Sequence, residues 1–409
     1  MRNPHNYITA VDRVPLKLIL FIEEFRKSPV EMSAAPATLQ WDLIVDKRFA
    51  LRTLLTDKKY HCSEESIPKE EISAEKEPLL RGKLAELATQ VIANSNSVLL
   101  DTYEPLERKR DWVALVKKGV VEAGHIIPID TRSRPGHKLL DHHMPHFWDV
   151  TNHKGKSVRG LFTQESVEKA LITNICMHST PYKSEIRRML LMNGGLGNVT
   201  KYRTVTAKSI VKFYDAKKVL DPCIGWGGRM LGALAAGAEY AGCEPDPKTV
   251  GGLRGILDDL PEDVKGRATI IGEPAEIGLG SVKGVFDMVL TSPPYFNLEV
   301  YTGGDQSTGR HATWDAWVEN WLKVIVLRGL ALLREGGVSC WSVKNFKTDK
   351  SYPLADVVQD IHKKAGWDLV KTVVMKGSGR PGGGRIKDGK TTRGSEEETF
   401  CFQKTAGPA

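Results

Sequence analysis

The spacing of apolar positions divides the 409-residue chain into two stretches of different character. From about residue 204 onward the pattern alternates regularly. Thr204–Tyr214 carries apolar residues at helical spacing, and short apolar runs bounded by glycine, proline or charge follow it. These runs lie at the start of Lys217–Arg229, at Glu239–Glu244, Ala268–Gly272, Val285–Leu290, Val338–Val343, Trp367–Met375 and Glu396–Lys404. Each is too short for a helix and reads as a strand buried in a sheet. Helical patterns separate them, among them Trp314–Leu333, with Trp314, Trp317 and Trp321 at three- and four-residue spacing, and Leu354–Ala365. Strands alternating with helices predict an α/β fold with a mostly parallel sheet.

The first 195 residues lack that alternation. Helical spacing recurs at Leu16–Phe25, Leu79–Ala93, Leu106–Ala123 and Glu165–Met192, and a charged, proline-bounded linker occupies 63–78. Gly194-Gly195-Leu196-Gly197 makes a natural boundary. The expected organisation is a mainly helical region at 1–195 and a sheet domain at 196–409. Composition changes this picture little. With 41% hydrophobic and 26% charged residues the chain is ordinary for a globular protein. A net charge of +8 is compatible with a polyanionic partner without demanding one. The six cysteines stand singly with no CxxC pair, which predicts reduced thiols in a cytoplasmic compartment. Met1–His5 has no signal pattern, and the apolar run Leu16–Ile22 is too short to cross a bilayer, so no membrane contact is expected.

Candidate chemistry concentrates where strands end. The run Val285–Leu290 stops at Ser292-Pro293-Pro294-Tyr295. Two consecutive prolines cannot donate to a sheet and fix φ, so a rigid turn forms at the carboxyl end of a strand, the edge where open α/β sheets bind ligands. A hydroxyl, carbonyls and an aromatic ring are offered together there, a set suited to a flat base bearing an amino group. As an isolated tetrapeptide it could equally be a turn closing a strand. Asp221-Pro222-Cys223-Ile224-Gly225-Trp226-Gly227-Gly228 is a second strand-to-helix turn. Gly225 and Gly227 match the start of a dinucleotide fingerprint, but Met230 replaces its third glycine, which counts against a pyrophosphate ligand. Glu244 and Glu273 close the next two strands. An acid at the first of these positions can accept ribose hydroxyls, and one at the second can meet a base edge. Either alone would read as a loop carboxylate. His142, His143 and His146 suggest a metal cluster, but adjacent histidines diverge and Pro145 breaks the segment, so a surface loop is the preferred reading and no metal is expected.

Taken together, Asp221–Gly228 and Ser292–Tyr295 resemble the cofactor and catalytic motifs of the S-adenosylmethionine-dependent amino-methyltransferases, enzymes that methylate exocyclic nitrogens of nucleic-acid bases. The resemblance covers roughly residues 200–405, about half the chain. About seventy residues separate the motifs, enough for the intervening strands and helices, and their order resembles the gamma arrangement. Gly225–Arg229 and Tyr295–Tyr301 are also similar to phage-type DNA methylases. The resemblance implies a class I methyltransferase fold, a Rossmann-like sheet of seven strands with the last antiparallel. It implies S-adenosylmethionine as cofactor, held by Asp221, Pro222, Cys223, Gly225, Gly227, Glu244, Glu273 and Thr291. It implies catalysis by Ser292, Pro293, Pro294 and Tyr295 on adenine N6 or cytosine N4 of DNA, as in site-specific methylation. The family often carries Asp or Asn where this chain has Ser292. Two alternatives stay open: an RNA methyltransferase acting on guanine N2 or adenine N6, and a catalytically silent nucleic-acid-binding protein of the same fold.

Beyond the catalytic turn, Tyr301–His311 is a polar, glycine-rich segment expected to act as a lid. Lys376–Gly394 is basic, glycine-rich and almost free of apolar side chains, and is expected to meet phosphates through Arg380, Arg385 and Arg393. Each phosphate neutralised contributes about 0.9 to the slope of log affinity against log salt on duplex DNA. Replacing these three arginines by alanine is expected to weaken binding to all sequences alike and to flatten the slope by up to about three units. A salt titration of DNA binding measures this, and an unchanged slope would reduce the segment to a solvated tip.

Overall fold

The apolar run ahead of Ser292 forms the centre of a sheet. The computed structural model describes residues 76–120, 126–128, 134–176, 183–194, 196, 200–301, 306–376, 386–387, 390–391 and 396–404. Eight strands build the main sheet: β1 (Ile126–Pro128), β2 (Lys218–Asp221), β3 (Glu239–Cys243), β4 (Ala268–Ile271), β5 (Phe286–Thr291), β6 (Leu333–Ser342), β7 (Trp367–Lys376) and β8 (Glu396–Lys404). Their spatial order is β1-β7-β8-β6-β5-β2-β3-β4. All neighbours are parallel except β8, which runs antiparallel to both β7 and β6. Strands β2 to β8 thus form a class I methyltransferase fold. The expected seven strands are joined by an eighth, β1, which pairs with the outer edge of β7.

The chain divides into two compact units, and the division differs from the expected boundary. One unit takes its described residues from the stretch ending at Leu100 and from Lys156–Asn198; the other takes them from Asp101–Gly155 and from Val199 onward. Residues 101–155, counted above with the N-terminal region, therefore belong with the sheet.

Both faces of the sheet are covered, which is why its strands lack a polar side. The two-residue period of β5 sends Met288 and Leu290 into one core cluster and Val289 into the other. The first cluster lies under the helices Thr204–Phe213 and Gly228–Ala236, with Ile210, Val211, Met230, Leu231 and Leu234. The second gathers Trp317, Trp321, Ile325, Trp341, Val358 and Phe402. The tryptophan-bearing helix is α-helical at Trp314–Trp317 and Lys323–Ala331 with a π-turn at Val318–Leu322 between them. Lys208, buried, donates from Nζ to the carbonyls of Leu115, Val116 and Lys118 at 3.0, 2.7 and 2.7 Å. It thereby caps the carboxyl end of the helix Pro105–Lys117. Gly336 and Gly337, which lie between the helical pattern ending at Leu333 and the strand expected from Val338, are inside β6. The helix stops at Ala331, and the β5–β6 register shifts between Phe286 and Met288. In the other unit, the helices Lys76–Ala93, Gln164–Cys176 and Lys183–Gly194 enclose Leu87, Val91, Val167, Leu171, Ile186 and Leu190. No helix among the described residues is long and apolar enough to cross a membrane.

Gly232 marks the closest approach of two helices. A Cβ there would lie 2.5 Å from Ala207 Cβ and 2.5 Å from the Thr204 carbonyl oxygen. Alanine favours a helix over glycine by at most about 1 kcal/mol, whereas overpacking a core costs about 1–3 kcal/mol. Gly232→Ala is therefore expected to lower the thermal midpoint by several degrees, at about 2–4 °C per kcal/mol. A raised midpoint would show that the helices part without penalty.

Candidate functional site

Three consecutive strand ends build the site, those of β3, β2 and β5. The chain leaves β2 through a turn in which Gly225 and Gly227 have φ of 58° and 82°, the left-handed region that favours glycine. A Cβ at Gly227 would also meet Leu253 at 2.9 Å, whereas one at Gly225 would meet nothing within 4 Å. Open space therefore adjoins the backbone at Gly225.

Asp221 anchors this turn from below. It has no exposed surface and accepts hydrogen bonds from four residues. Oδ1 takes the Cys223 N–H at 3.0 Å and the Thr291 hydroxyl at 2.7 Å. Oδ2 takes Arg229 Nε at 2.7 Å and the Tyr240 hydroxyl at 2.7 Å. Arg229 is itself buried and donates onward to the carbonyls of Cys223 and Ile224. Burial alone would lower its pKa, but Asp221 and Tyr240 outweigh that and hold it above the usual value. The guanidinium lies 5.1 Å from the centre of the Tyr202 ring, whose hydroxyl meets Ser342 Oγ at 3.0 Å; Ser342 in turn meets Thr399 at 2.7 Å. Asp221 and Thr291, expected among the cofactor ligands, are thus fully buried and bonded to each other. They position the two turns and present no surface to a ligand. Pro222 is likewise buried, and Cys223 is half-buried.

Glu244 follows β3 and is treated differently. Its Oε2 accepts the Gly225 N–H at 3.0 Å and its Oε1 the Asp246 N–H at 3.0 Å. Two donors leave a carboxylate with roughly two further lone-pair sites. Burial pushes its pKa up to about 7, against the pull of those two backbone bonds. Glu273, beyond β4, is exposed and makes no comparable set of bonds.

Aromatic rings cover the glycine turn. Trp226, at its tip, has ring centres of His146 at 5.3 Å, Phe147 at 5.2 Å and Tyr301 at 6.0 Å. The Tyr301 hydroxyl donates to Glu299 at 2.5 Å. His146 Nε2 lies 2.9 Å from Thr249 Oγ1, whose hydroxyl donates to Asp246 at 2.6 Å. The histidine segment is therefore no surface loop. It forms the helix His137–His143 and a 3-10 turn at Pro145–Asp149. His143 binds Asp259 at 2.6 Å, His142 accepts the Tyr103 N–H at 3.1 Å, and no metal-binding cluster occurs among the described residues. The sequence offered Tyr301 as part of a lid and His146 as part of a metal cluster, but not their meeting with Trp226 over the glycine turn. For Trp226 the signal was an aromatic between the two turn glycines.

At the end of β5, Ser292 and Pro294 are half-buried and Pro293 and Tyr295 buried. Tyr295 as a whole is 8% exposed, and its ring meets Phe346 edge-on at 5.5 Å. Phe296 has φ of 32°, an outlying conformation for a bulky residue. Its ring is held by Trp314, Trp317 and Tyr352 at 5.7, 5.6 and 5.5 Å. Trp314, Trp317 and Trp321 are stacked in series at 5.5 and 4.8 Å, which makes them a wall behind the turn. Arg380, Arg385 and Arg393 lie outside the described residues, as do 302–305 of the expected lid.

No protein-family profile matches the chain, and no curated protein matches its sequence. Among solved structures, it is similar to a candidate RNA methyltransferase from Pyrococcus horikoshii, at 14% identity over 50% of this chain and 83% of that one, TM-score 0.33. A glycopeptide N-methyltransferase complexed with S-adenosylmethionine matches at 14% identity over 50% and 87%, TM-score 0.33. Magnesium protoporphyrin IX methyltransferase from Synechocystis, also with bound S-adenosylmethionine, matches at 13% over 51% and 87%, TM-score 0.32. At these identities the likeness concerns the fold alone.

The Asp221 network generates a stability prediction. An amide at Asp221 would turn donors toward donors and leave Arg229 buried without its charge partner, a loss of about 3–5 kcal/mol. Asp221→Asn is expected to lower the thermal midpoint by on the order of 10 °C. Asp215→Asn removes the exposed pair with Lys217 and should change stability by about 0–1 kcal/mol. Equal effects of the two substitutions in thermal melts would contradict the network's role.

Proposed function

We propose that the chain transfers a methyl group from S-adenosylmethionine to an exocyclic amino nitrogen of a base in DNA, adenine N6 or cytosine N4. The observation that carries this reading is the Thr291–Asp221 hydrogen bond, which ties the glycine turn and the Ser292-Pro293-Pro294 turn to adjacent strand ends. A cofactor site and an acceptor site within a few ångströms are what a direct group transfer needs. When bound, S-adenosylmethionine supplies an activated methyl group on a sulfonium.

The residues present fit that cofactor. Glu244 keeps acceptor capacity for two ribose hydroxyls after its two backbone bonds. The space beside Gly225 admits a ligand against the backbone, and the absence of a third turn glycine is no obstacle, since this cofactor has no pyrophosphate. Trp226 and Tyr301 would bound the site on its outer side. At the acceptor turn, Ser292 Oγ and the Pro293 carbonyl would take the two N–H bonds of the amino group. That favours a pyramidal nitrogen and aims its lone pair at the methyl carbon. Tyr295 would stack on the base, worth about 1–3 kcal/mol, and Phe346 fixes its ring beforehand. A duplex base must first leave the stack, at a cost of a few kcal/mol.

Incubating DNA and RNA separately with the protein and labelled cofactor, then analysing the nucleosides by mass spectrometry, tests the reading. The expected product is N6-methyldeoxyadenosine or N4-methyldeoxycytidine. Label in RNA alone would move the function to the RNA alternative, and label in neither would leave the fold without this activity. Ser292→Ala is expected to reduce turnover while leaving cofactor affinity nearly unchanged. With its pKa near 7, Glu244 ionises as pH rises through neutrality. Cofactor affinity is therefore expected to strengthen over that range and to lose this dependence in Glu244→Gln, with a loss of about 1.5–3 kcal/mol at high pH. A pH-independent dissociation constant in the wild type would remove Glu244 from the ribose.

A further inference from the structure

The segment that follows β6 supplies Phe346 to the Tyr295 ring and is built into the wall of the acceptor turn. Phe346–Lys347 and Ser351–Tyr352 pair as a short antiparallel hairpin, Lys347 opposite Ser351 and Phe346 opposite Tyr352. The Thr348 N–H closes its tip on the Lys350 carbonyl at 3.1 Å. Because side chains alternate along a strand, one face carries Phe346 and Tyr352 and the other Lys347. The two inward rings stack at 5.0 Å, with Tyr295 against Phe346 at 5.5 Å and Phe296 against Tyr352 at 5.5 Å. Asn297, two residues beyond Tyr295, pins the tip. It accepts the Thr348 hydroxyl at 3.1 Å and donates to the Tyr352 hydroxyl at 3.3 Å and to Asp349 at 3.4 Å. The hairpin therefore cannot shift without moving the turn that carries Ser292.

Its outer surface is cationic. Lys344, Lys347 and Lys350 are exposed, and no ion pair engages them among the described residues. Lys350 lies over the Tyr352 ring at 5.4 Å from its centre. The one acid on the hairpin, Asp349, is turned to internal use. Its carboxylate accepts from Thr348, Asn297 and Tyr352, and these bonds, Thr348's foremost, hold its pKa well below the usual range. Asp356, on the following helix, accepts the Asn345 side-chain amide at 2.9 Å. Three ammonium groups at three-residue intervals are thus left facing solvent on a scaffold locked to the acceptor site.

We infer that Lys344, Lys347 and Lys350 form a contact surface for the phosphates flanking the target nucleotide, which holds the strand so that its base reaches Ser292. This rests on the nucleic-acid reading above and deepens it. The hairpin grips backbone and not base edges, since flexible lysines match a phosphate as point charges and carry no base-specific geometry. It differs from the arginine-bearing segment at 376–394 in being fixed by packing to the acceptor turn, so its loss should affect productive placement as well as overall affinity.

The test is the triple variant Lys344→Ala, Lys347→Ala, Lys350→Ala beside a triple arginine variant at the same positions. A labelled duplex oligonucleotide and its single strand serve as probes. The alanine variant is expected to flatten the slope of log affinity against log salt by about 2–3 units on duplex. The KM for DNA should rise roughly tenfold at moderate salt, with kcat at saturating DNA changing far less and the cofactor dissociation constant unmoved. The arginine variant should restore slope and KM. Lys364→Ala, an exposed lysine on another element, should leave all of them at wild-type values. A wild type that methylates DNA while the alanine variant keeps its slope and KM would overturn the hairpin assignment alone. A wild type that binds cofactor but neither binds nor methylates any polynucleotide would overturn both this assignment and the function it rests on.

Discussion

The bond between Thr291 and Asp221 is the constraint on which the site depends. A carboxylate with no exposed surface is costly unless every lone pair is used, and here four donors converge on it. Each donor comes from a different part of the fold: the glycine turn, the helix that leaves it, the neighbouring strand β3 and the end of β5. No one of them can move without exposing a charge to an apolar interior. The network therefore fixes the separation of two turns that sequence alone places about seventy residues apart. It continues through Arg229, Tyr202, Ser342 and Thr399 into the antiparallel part of the sheet, so strand β8 shares in holding the turn.

Glu244 shows the complementary use of a carboxylate. Asp221 is saturated by protein donors, whereas Glu244 receives two backbone N–H groups and keeps capacity for more. Its pKa near 7 is the expression of that unfinished coordination, because burial disfavours the charge and two bonds do not offset it. A ligand bringing two further hydroxyl donors would complete it. The two acids sit at adjacent strand ends and read alike in sequence; the count of donors each receives separates the saturated one from the one with acceptor capacity left.

Much of this was legible beforehand. Alternating apolar runs gave the strands β2 to β8 to within a residue or two, except that β6 begins at Leu333, ahead of the expected Val338, and the proline pair and glycine pair located both turns. What was missed has a common cause. Lys208 looks like one of many basic residues, and only the meeting of two helices shows it capping the helix Pro105–Lys117. His146 seemed solvent-exposed beside Pro145, yet 3-10 geometry brings it over Trp226. Asp221 and Thr291, which the family resemblance gave to the cofactor, are buried and bonded to each other. In every case the deciding contact joins residues far apart in the chain, and local periodicity carries no record of it.

The turn after β5 is held in an unfavourable state, and the surrounding structure explains how. Phe296 at φ 32° costs of order 1–3 kcal/mol. Three aromatic rings pack against its side chain, and Leu298 donates back to the Tyr295 carbonyl at 2.7 Å, so relaxation would break several contacts at once. The π-turn at Val318–Leu322 contributes by placing Trp317 and Trp321 in stacked register behind the same ring. A turn strained on one side and braced by the hairpin on the other has little freedom to adjust to a substrate. On the proposed function, discrimination would then come from whether a base could reach Ser292 in the geometry already set. That would put the burden of selection on the strand carrying the base and on the charged surfaces proposed to hold it.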